Sequence, residues 1–97
     1  MAEFIFFMHA LPDDASESDW EPYLGRLGQS GHLRGGSVIG GGKCFTRNGI
    51  APPVTAHVNG FIRIEAASLE EAALLLSGNP VYEAGGTVEI RELPQTG

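Results

Sequence analysis

From His57 to Ala66 the chain alternates polar and apolar side chains with a period of two, His57, Asn59, Phe61, Arg63 and Glu65 on one side and Val58, Ile62, Ile64 and Ala66 on the other. Such alternation puts each set on one face of a β-strand. The even set is apolar, so this face is expected to pack against helices. Ser68 with Glu71 three residues later forms a capping box, in which the hydroxyl and the carboxylate satisfy free amides at a helix start. A helix is therefore expected from about Leu69, with Leu69, Ala72, Ala73 and Leu76 as its buried stripe. Gly78 supplies a left-handed stop, and Pro80 bars continuation. Alternation returns from Thr87 to Leu93, with Val88 and Ile90 inward and Thr87, Glu89 and Arg91 outward.

The first half repeats this order less cleanly. Phe4 to His9 is apolar on both faces, as in a central strand covered on each side. Pro12 to Ala15 reads as a turn, and Ser16 with Asp19, or Ser18 with Glu21, offers two helix caps. Trp20, Tyr23, Leu24 and Leu27 mark the apolar stripe of a helix over about residues 19–30, closed by Gly31. Leu33 to Thr46 holds five glycines, so a strand over 37–45 is expected to be a bent or bulged edge strand. Asn48, Gly49, Pro52 and Pro53 form a loop, with strand character back by about Thr55. Strand, helix, strand, strand, helix, strand is the α+β, ferredoxin-like βαββαβ order: a four-stranded antiparallel sheet with two helices on one face. The other face, bearing Phe61 and half of an aromatic first strand, would be an exposed apolar patch in a monomer. A second copy facing it would cover it symmetrically, so a homodimer is expected.

Composition narrows the partners. The 97 residues make one domain, of a size that buries about 60 to 65% of its unfolded surface. Six basic residues against twelve acidic ones, a net charge of −6, argue against a nucleic-acid or anionic-membrane partner, which needs concentrated Lys and Arg. Phe4 to Met8 is too short to span a bilayer and follows Glu3 without a basic leader, so no signal peptide is expected. The single cysteine, Cys44, excludes an internal disulfide framework, fits a cytoplasmic location and is expected to be a small packed side chain.

The residues also resemble a known family. Trp20, Tyr23-Leu24, Leu27, Gly31, Leu33 and Gly35-Gly36, then Gly60-Phe61, Ile64-Glu65-Ala66, Ser68, Glu70-Glu71-Ala72, Pro80, Gly85-Gly86 and Val88-Glu89-Ile90-Arg91, are similar to the YCII-related domain family. The resemblance spans nearly the whole chain and is sharpest in its last 40 residues. It implies a dimeric α/β-barrel of two facing ferredoxin-like sheets, related to small muconolactone-isomerase-like and monooxygenase-like proteins. For some members it implies an enzyme with a polar His/Asp pair near the barrel mouth, a pair that matches no unique motif here.

Chemistry is expected on the open face. If helices cover the even residues of the third strand, His57, Asn59, Arg63 and Glu65 face the open side with Thr87, Glu89 and Arg91. His9, at the end of the first strand, either joins them or faces the helices. Histidine near neutrality can act as general acid or base when a carboxylate orients it, and Asp13 or Asp14, just past His9, is the nearest carboxylate in sequence. The catalytic candidates are therefore His9, His57 and Asp13, and the ligand-binding candidates are Arg63, Ser37 and Glu65. The structural alternative is that Arg63, Glu65, Glu89 and Arg91 are cross-strand ion pairs that set register, and that His32 complements a helix dipole.

Other chemistries lack their motifs. The glycines near Lys43 are not followed by the Lys-Ser/Thr and helix of a phosphate loop, Ser37 lacks a nucleophile elbow, and three dispersed histidines with one thiol lack zinc spacing. No cofactor and no metal are expected. Two functions fit: a cofactor-independent enzyme acting on a small aromatic or lactone-like molecule in a pocket between sheet and helices, or a non-catalytic dimeric ligand-binding or interaction module.

Overall fold

The computed structural model of the chain describes residues 1–9 and 17–95. Its elements are β1 (Ala2–His9), α1 (Glu17–Gln29), β2 (Leu33–Val38), β3 (Val58–Ala66), α2 (Leu69–Leu74), α3 (Pro80–Glu83) and β4 (Val88–Leu93). The four strands form one antiparallel sheet in the order β2-β3-β1-β4, the arrangement of a ferredoxin-like α+β fold. Strands β1 and β3 occupy the centre.

The period-two pattern decides which face the helices cover. Phe4, Phe6 and Met8 from β1 and Ile62, Ile64 and Ala66 from β3 are buried, and they pack with Tyr23, Leu27, Ala72, Leu76 and Val81 from the helical layer. The odd residues Ile5, Phe7 and Phe61 on the opposite face are only half-buried. Thus β1 is apolar on both sides but covered on one. Burial pushes the Tyr23 phenol above its usual 10.0, and its hydroxyl donates to the Leu75 carbonyl at 2.8 Å.

Local signals act as their chemistry requires. Ser68 Oγ accepts from the Glu71 amide at 3.1 Å while a Glu71 carboxylate oxygen accepts from the Ala67 amide at 3.1 Å. Gly31 ends α1 at φ 83°, with the His32 amide donating back to the Leu27 carbonyl. Gly78 has φ 88°, a backbone conformation that L side chains rarely adopt, while the Arg26 guanidinium beside it is a flexible end that could move aside for a Cβ.

The structure departs from the expected elements in four places. The second helix stops at Leu74, and its buried side is Ala72, Leu75 and Leu76, leaving Leu69 and Leu74 exposed. Pro80 does more than stop it: with Asn79 Oδ1 accepting from the Val81 and Tyr82 amides, it opens the short helix α3. Strand β2 lies earlier than expected, over Leu33–Val38, at the sheet edge and with a register shift between Leu33 and Gly35. The chain leaves the sheet before Gly40, where three successive glycines favour the disordered backbone over a strand, and rejoins it at Val58. Residues 39–57 form an arm without helix or strand. The proposed Ser16 cap lies outside the described residues.

Phe6 is fully buried at the middle of the sheet. Phe6→Ala is expected to lower stability by about 3 to 5 kcal/mol, transfer and cavity terms together. Urea unfolding followed by circular dichroism measures it, and a loss under about 1 kcal/mol would contradict this placement of the core.

Candidate functional site

At the end of β1 the ladder with β3 slips. Met8 pairs with Gly60, but the next residue, His9, pairs with Val58, so Asn59 is the extra residue of a β-bulge. The slip draws the start of β3 toward His9. The His9 and His57 rings meet edge to face, with centroids 4.7 Å apart and planes at 74°. His9 and His57, whose convergence strand parity leaves open, thus stand side by side.

The carboxylate beside them is Glu89. Two residues before His9, Phe7 lies opposite Glu89 in the β1–β4 ladder, and His9 Nε2 stands 3.0 Å from Glu89 Oε1. A carboxylate only accepts, so Nε2 carries the hydrogen and Nδ1 is the basic nitrogen of the neutral ring. The His9 hydrogen bond, and after it the Arg91 guanidinium at 3.3 Å, hold the Glu89 carboxyl below its usual 4.5. Asp13, the carboxylate nearest to His9 in sequence among the catalytic candidates, lies outside the described residues. In the sequence Glu89 reads as an outward residue of the last strand and a member of a cross-strand ion pair, not as a partner of His9. The signal that finds it is the antiparallel register of two strands 80 residues apart, which no local spacing encodes.

The remaining candidates are elsewhere. Glu65 pairs with Arg34 at 3.2 Å, and Arg63 reaches Glu3 at 3.8 Å while donating to the Arg34 carbonyl at 2.9 Å. Arg63 lies beside Gly35, where a Cβ would sit 3.5 Å from its guanidinium. These pairs cross neighbouring strands, and being half-exposed each is worth about 1 kcal/mol or less. Ser37 is opposite Phe61 on the edge strand and donates to the Val38 carbonyl. His32 follows the end of α1 but its ring is engaged on β3: its Nδ1 stands 2.7 Å from the Glu65 carbonyl, and the Glu65 amide donates to the His32 carbonyl. It extends the β2–β3 ladder by one pair. Cys44 is exposed on the arm rather than packed, with its thiol 3.6 Å from the Pro53 carbonyl.

An open groove of about 700 Å³ runs between α1 and the β2 side of the sheet, lined by Trp20, Leu24, Leu33, Ser37, Phe61, Ile62 and Val81 among others. Trp20 and Leu24 therefore form a groove wall as well as helix packing. Neither His9 nor His57 is among the lining residues. The groove reaches Met8, Asn59 and Gly60 next to the two histidines, but the imidazoles themselves do not line it. No group of three or more His, Cys, Asp or Glu among the described residues is placed to hold a metal ion, and no described helix is long and apolar enough to cross a membrane.

Comparison with known proteins supports the fold. The structure of 5-chloro-2-hydroxyhydroquinone dehydrochlorinase from Burkholderia phenoliruptrix, in complex with 2,5-dihydroxybenzoquinone, superposes with a TM-score of 0.62 at 15% identity, covering 97% of this chain and 95% of that one. At that identity the likeness is one of fold, and it is consistent with the YCII-related fold that the residues resemble. No family model matches the chain. No curated protein sequence matches it either.

The lowered Glu89 carboxyl sets a pH dependence. Its contribution to stability is full above the ordinary glutamate value of 4.5 and is lost as pH falls through the lower folded value, because the unfolded chain then binds the proton first. Glu89→Gln is expected to flatten this part of the acid limb. Urea midpoints compared between pH 7 and pH 3 read it, and parallel wild-type and variant curves would show that the His9 and Arg91 contacts leave Glu89 unperturbed.

Proposed function

We propose that this chain is a YCII-related protein of the dimeric α/β-barrel kind, a small cofactor-independent enzyme that moves a proton on a small aromatic or lactone-like molecule. One observation carries the reading: an imidazole whose Nε2 is held by a carboxylate at 3.0 Å, with a second imidazole 4.7 Å away. A histidine serves as general base when a partner fixes its tautomer and stabilises the imidazolium. His9 fits that description, with Glu89 as the orienting group. In the proposed reaction His9 Nδ1 takes a proton from a C–H or O–H of the substrate, Glu89 stays ionised against the imidazolium, and the proton returns to a different substrate atom, giving an isomer. His57 is placed to contact the substrate or relay the proton, and Asp13 is proposed as a second carboxylate of this centre.

The fold likeness to a dehydrochlorinase with a bound dihydroxybenzoquinone makes hydroxyquinones a sensible first substrate class, with unsaturated lactones the second. A homodimer formed through the open sheet face is part of this proposal, since Ile5, Phe7 and Phe61 are left half-exposed there. Location in the cytoplasm remains an expectation from the single cysteine.

A non-catalytic dimeric module is the second reading, and a separate observation favours it. Arg34–Glu65, Arg63–Glu3 and Arg91–Glu89 already engage the charged residues of the open face. Arg63 and Glu65 thus serve as pins across the sheet and bind a ligand only if those pairs open. Ser37 is the groove-lining member of the ligand-binding set.

Exchange of ring protons of hydroxyquinones with D2O, followed by NMR, separates the readings. Wild-type protein is expected to accelerate exchange or isomerisation, and His9→Ala to reduce the rate by about 10²- to 10⁴-fold, as for loss of a general base. If no hydroxyquinone or lactone shifts the His9 and His57 ring resonances, or His9→Ala turns over at the wild-type rate, the catalytic reading fails and the module remains.

A further inference from the structure

The arm of residues 39–57 has a composition unlike the rest of the chain. It holds Lys43 and Arg47 and no acidic residue, whereas all twelve carboxylate residues and four of the six basic ones lie outside it. A basic arm is thus joined to a strongly acidic body.

Its apolar side chains are not buried. Phe45 is 89% exposed and Ile50 99%. Nothing lies within 4 Å of where a Cβ would stand at Gly40, Gly41, Gly42 or Gly49. The side-chain hydrogen bonds recorded for Cys44 and Thr46 end on Pro53 and Asn48, within the arm itself. The arm is rooted at both ends, by the Ile39 amide on the Asn59 carbonyl and by His57 against His9. It therefore leaves the sheet as a unit without packing back on the body through these residues.

We propose that this arm clasps a second copy of the chain, laying Phe45 and Ile50 against the apolar strip of Ile5, Phe7 and Phe61 on the other copy's open sheet face. The inference rests on the dimer reading above and extends it by naming what crosses between the copies. Charge complementarity selects the occupant: Lys43 and Arg47 meet, on a second copy, a body that carries twelve acidic residues against four basic ones. Apolar contact supplies the association, and the charges orient it. The consequence reaches the histidine cluster, because the arm ends at His57. Clasping the second copy fixes the arm, and with it the imidazole that stands against His9. Each centre is then completed by association, with the setting of His57 depending on the other copy.

Cys44 provides the probe, since it is the only cysteine and sits beside Phe45. Protein labelled sparsely at Cys44 with an azidophenacyl photo-crosslinker is mixed with excess ¹⁵N-labelled unmodified protein, irradiated, and mapped by mass spectrometry. Cross-links to ¹⁵N peptides from β1 or β3 are expected. The double variant Phe45→Ser with Ile50→Ser, whose exposed positions leave the fold untouched by circular dichroism, is expected to raise the dimer dissociation constant about tenfold or more by sedimentation. Its His57 ring resonance should also shift as the wild-type one does on dilution. A wild type that sediments only as a monomer would remove the dimer reading and this inference together. A persistent dimer whose cross-links stay within one chain, or whose dissociation constant the double variant leaves unchanged, would overturn the clasp and leave the dimer standing. The clasp is equally overturned if the variants lose only co-sedimentation with phosphatidylglycerol vesicles, which would make the arm a membrane contact.

Discussion

The alternation of side chains along β1 and β3 is the constraint on which the other features depend. Phe4, Phe6 and Met8 must face the same way as Ile62, Ile64 and Ala66 for the helical layer to be sealed against the sheet. A slip of one residue in the pairing would turn both sets to the opposite face. Because the two strands are central neighbours, the burial of one set obliges the other, odd-numbered set to share the opposite face. That second face therefore receives Glu3, Ile5, Phe7, Phe61, Arg63 and Glu65 as a by-product of core formation. Its mixture of half-buried apolar groups and ion pairs follows from the same parity that makes the core.

Where the sequence carries local chemistry, it is legible. The capping box of Ser68 and Glu71, the left-handed stop at Gly31, and the alternation of β3 and β4 each act within a few residues, and each is found where the pattern places it, whereas Gly78 is left-handed but lies beyond the end of α2 at Leu74. The short helix α3 had its own signal, an Asn followed by Pro at the first helical position, which is easily read as a stop for the preceding helix alone. The stripe of α2 was misplaced because a helix of six residues does not sustain a full periodic face. The glycine-rich stretch was harder. With three glycines in a row, backbone entropy outweighs the strand preference of Ile39 and Phe45, and no residue pattern marks the place where that balance tips.

The site was legible only in part, and for a different reason. Parity alone places His57 on the open face, and the strand end leaves His9 two choices. Their meeting, and the identity of the carboxylate, are set by pairings between residues far apart in sequence. Asp13 is near His9 along the chain, while Glu89 approaches from the far end of the chain through the β1–β4 ladder. The fold likeness to a dehydrochlorinase shows how such a sheet can be arranged; the residues that would do the chemistry have to be found in this chain's own contacts.

The bulge at Asn59 deserves to be seen as a spacer. In an unbroken ladder His9 would oppose Asn59, and His57 would fall on the diagonal, about 7 to 8 Å away between Cα atoms. Taking one residue out of the pairing shortens that gap and lets two small rings touch. The encounter of the imidazoles is accordingly written in residue count rather than in side-chain identity: a related chain that keeps both histidines but loses or gains a single residue between 57 and 60 would hold them in different company. When searching other genomes for the same centre, the length of that short stretch is therefore as informative as the presence of the histidines.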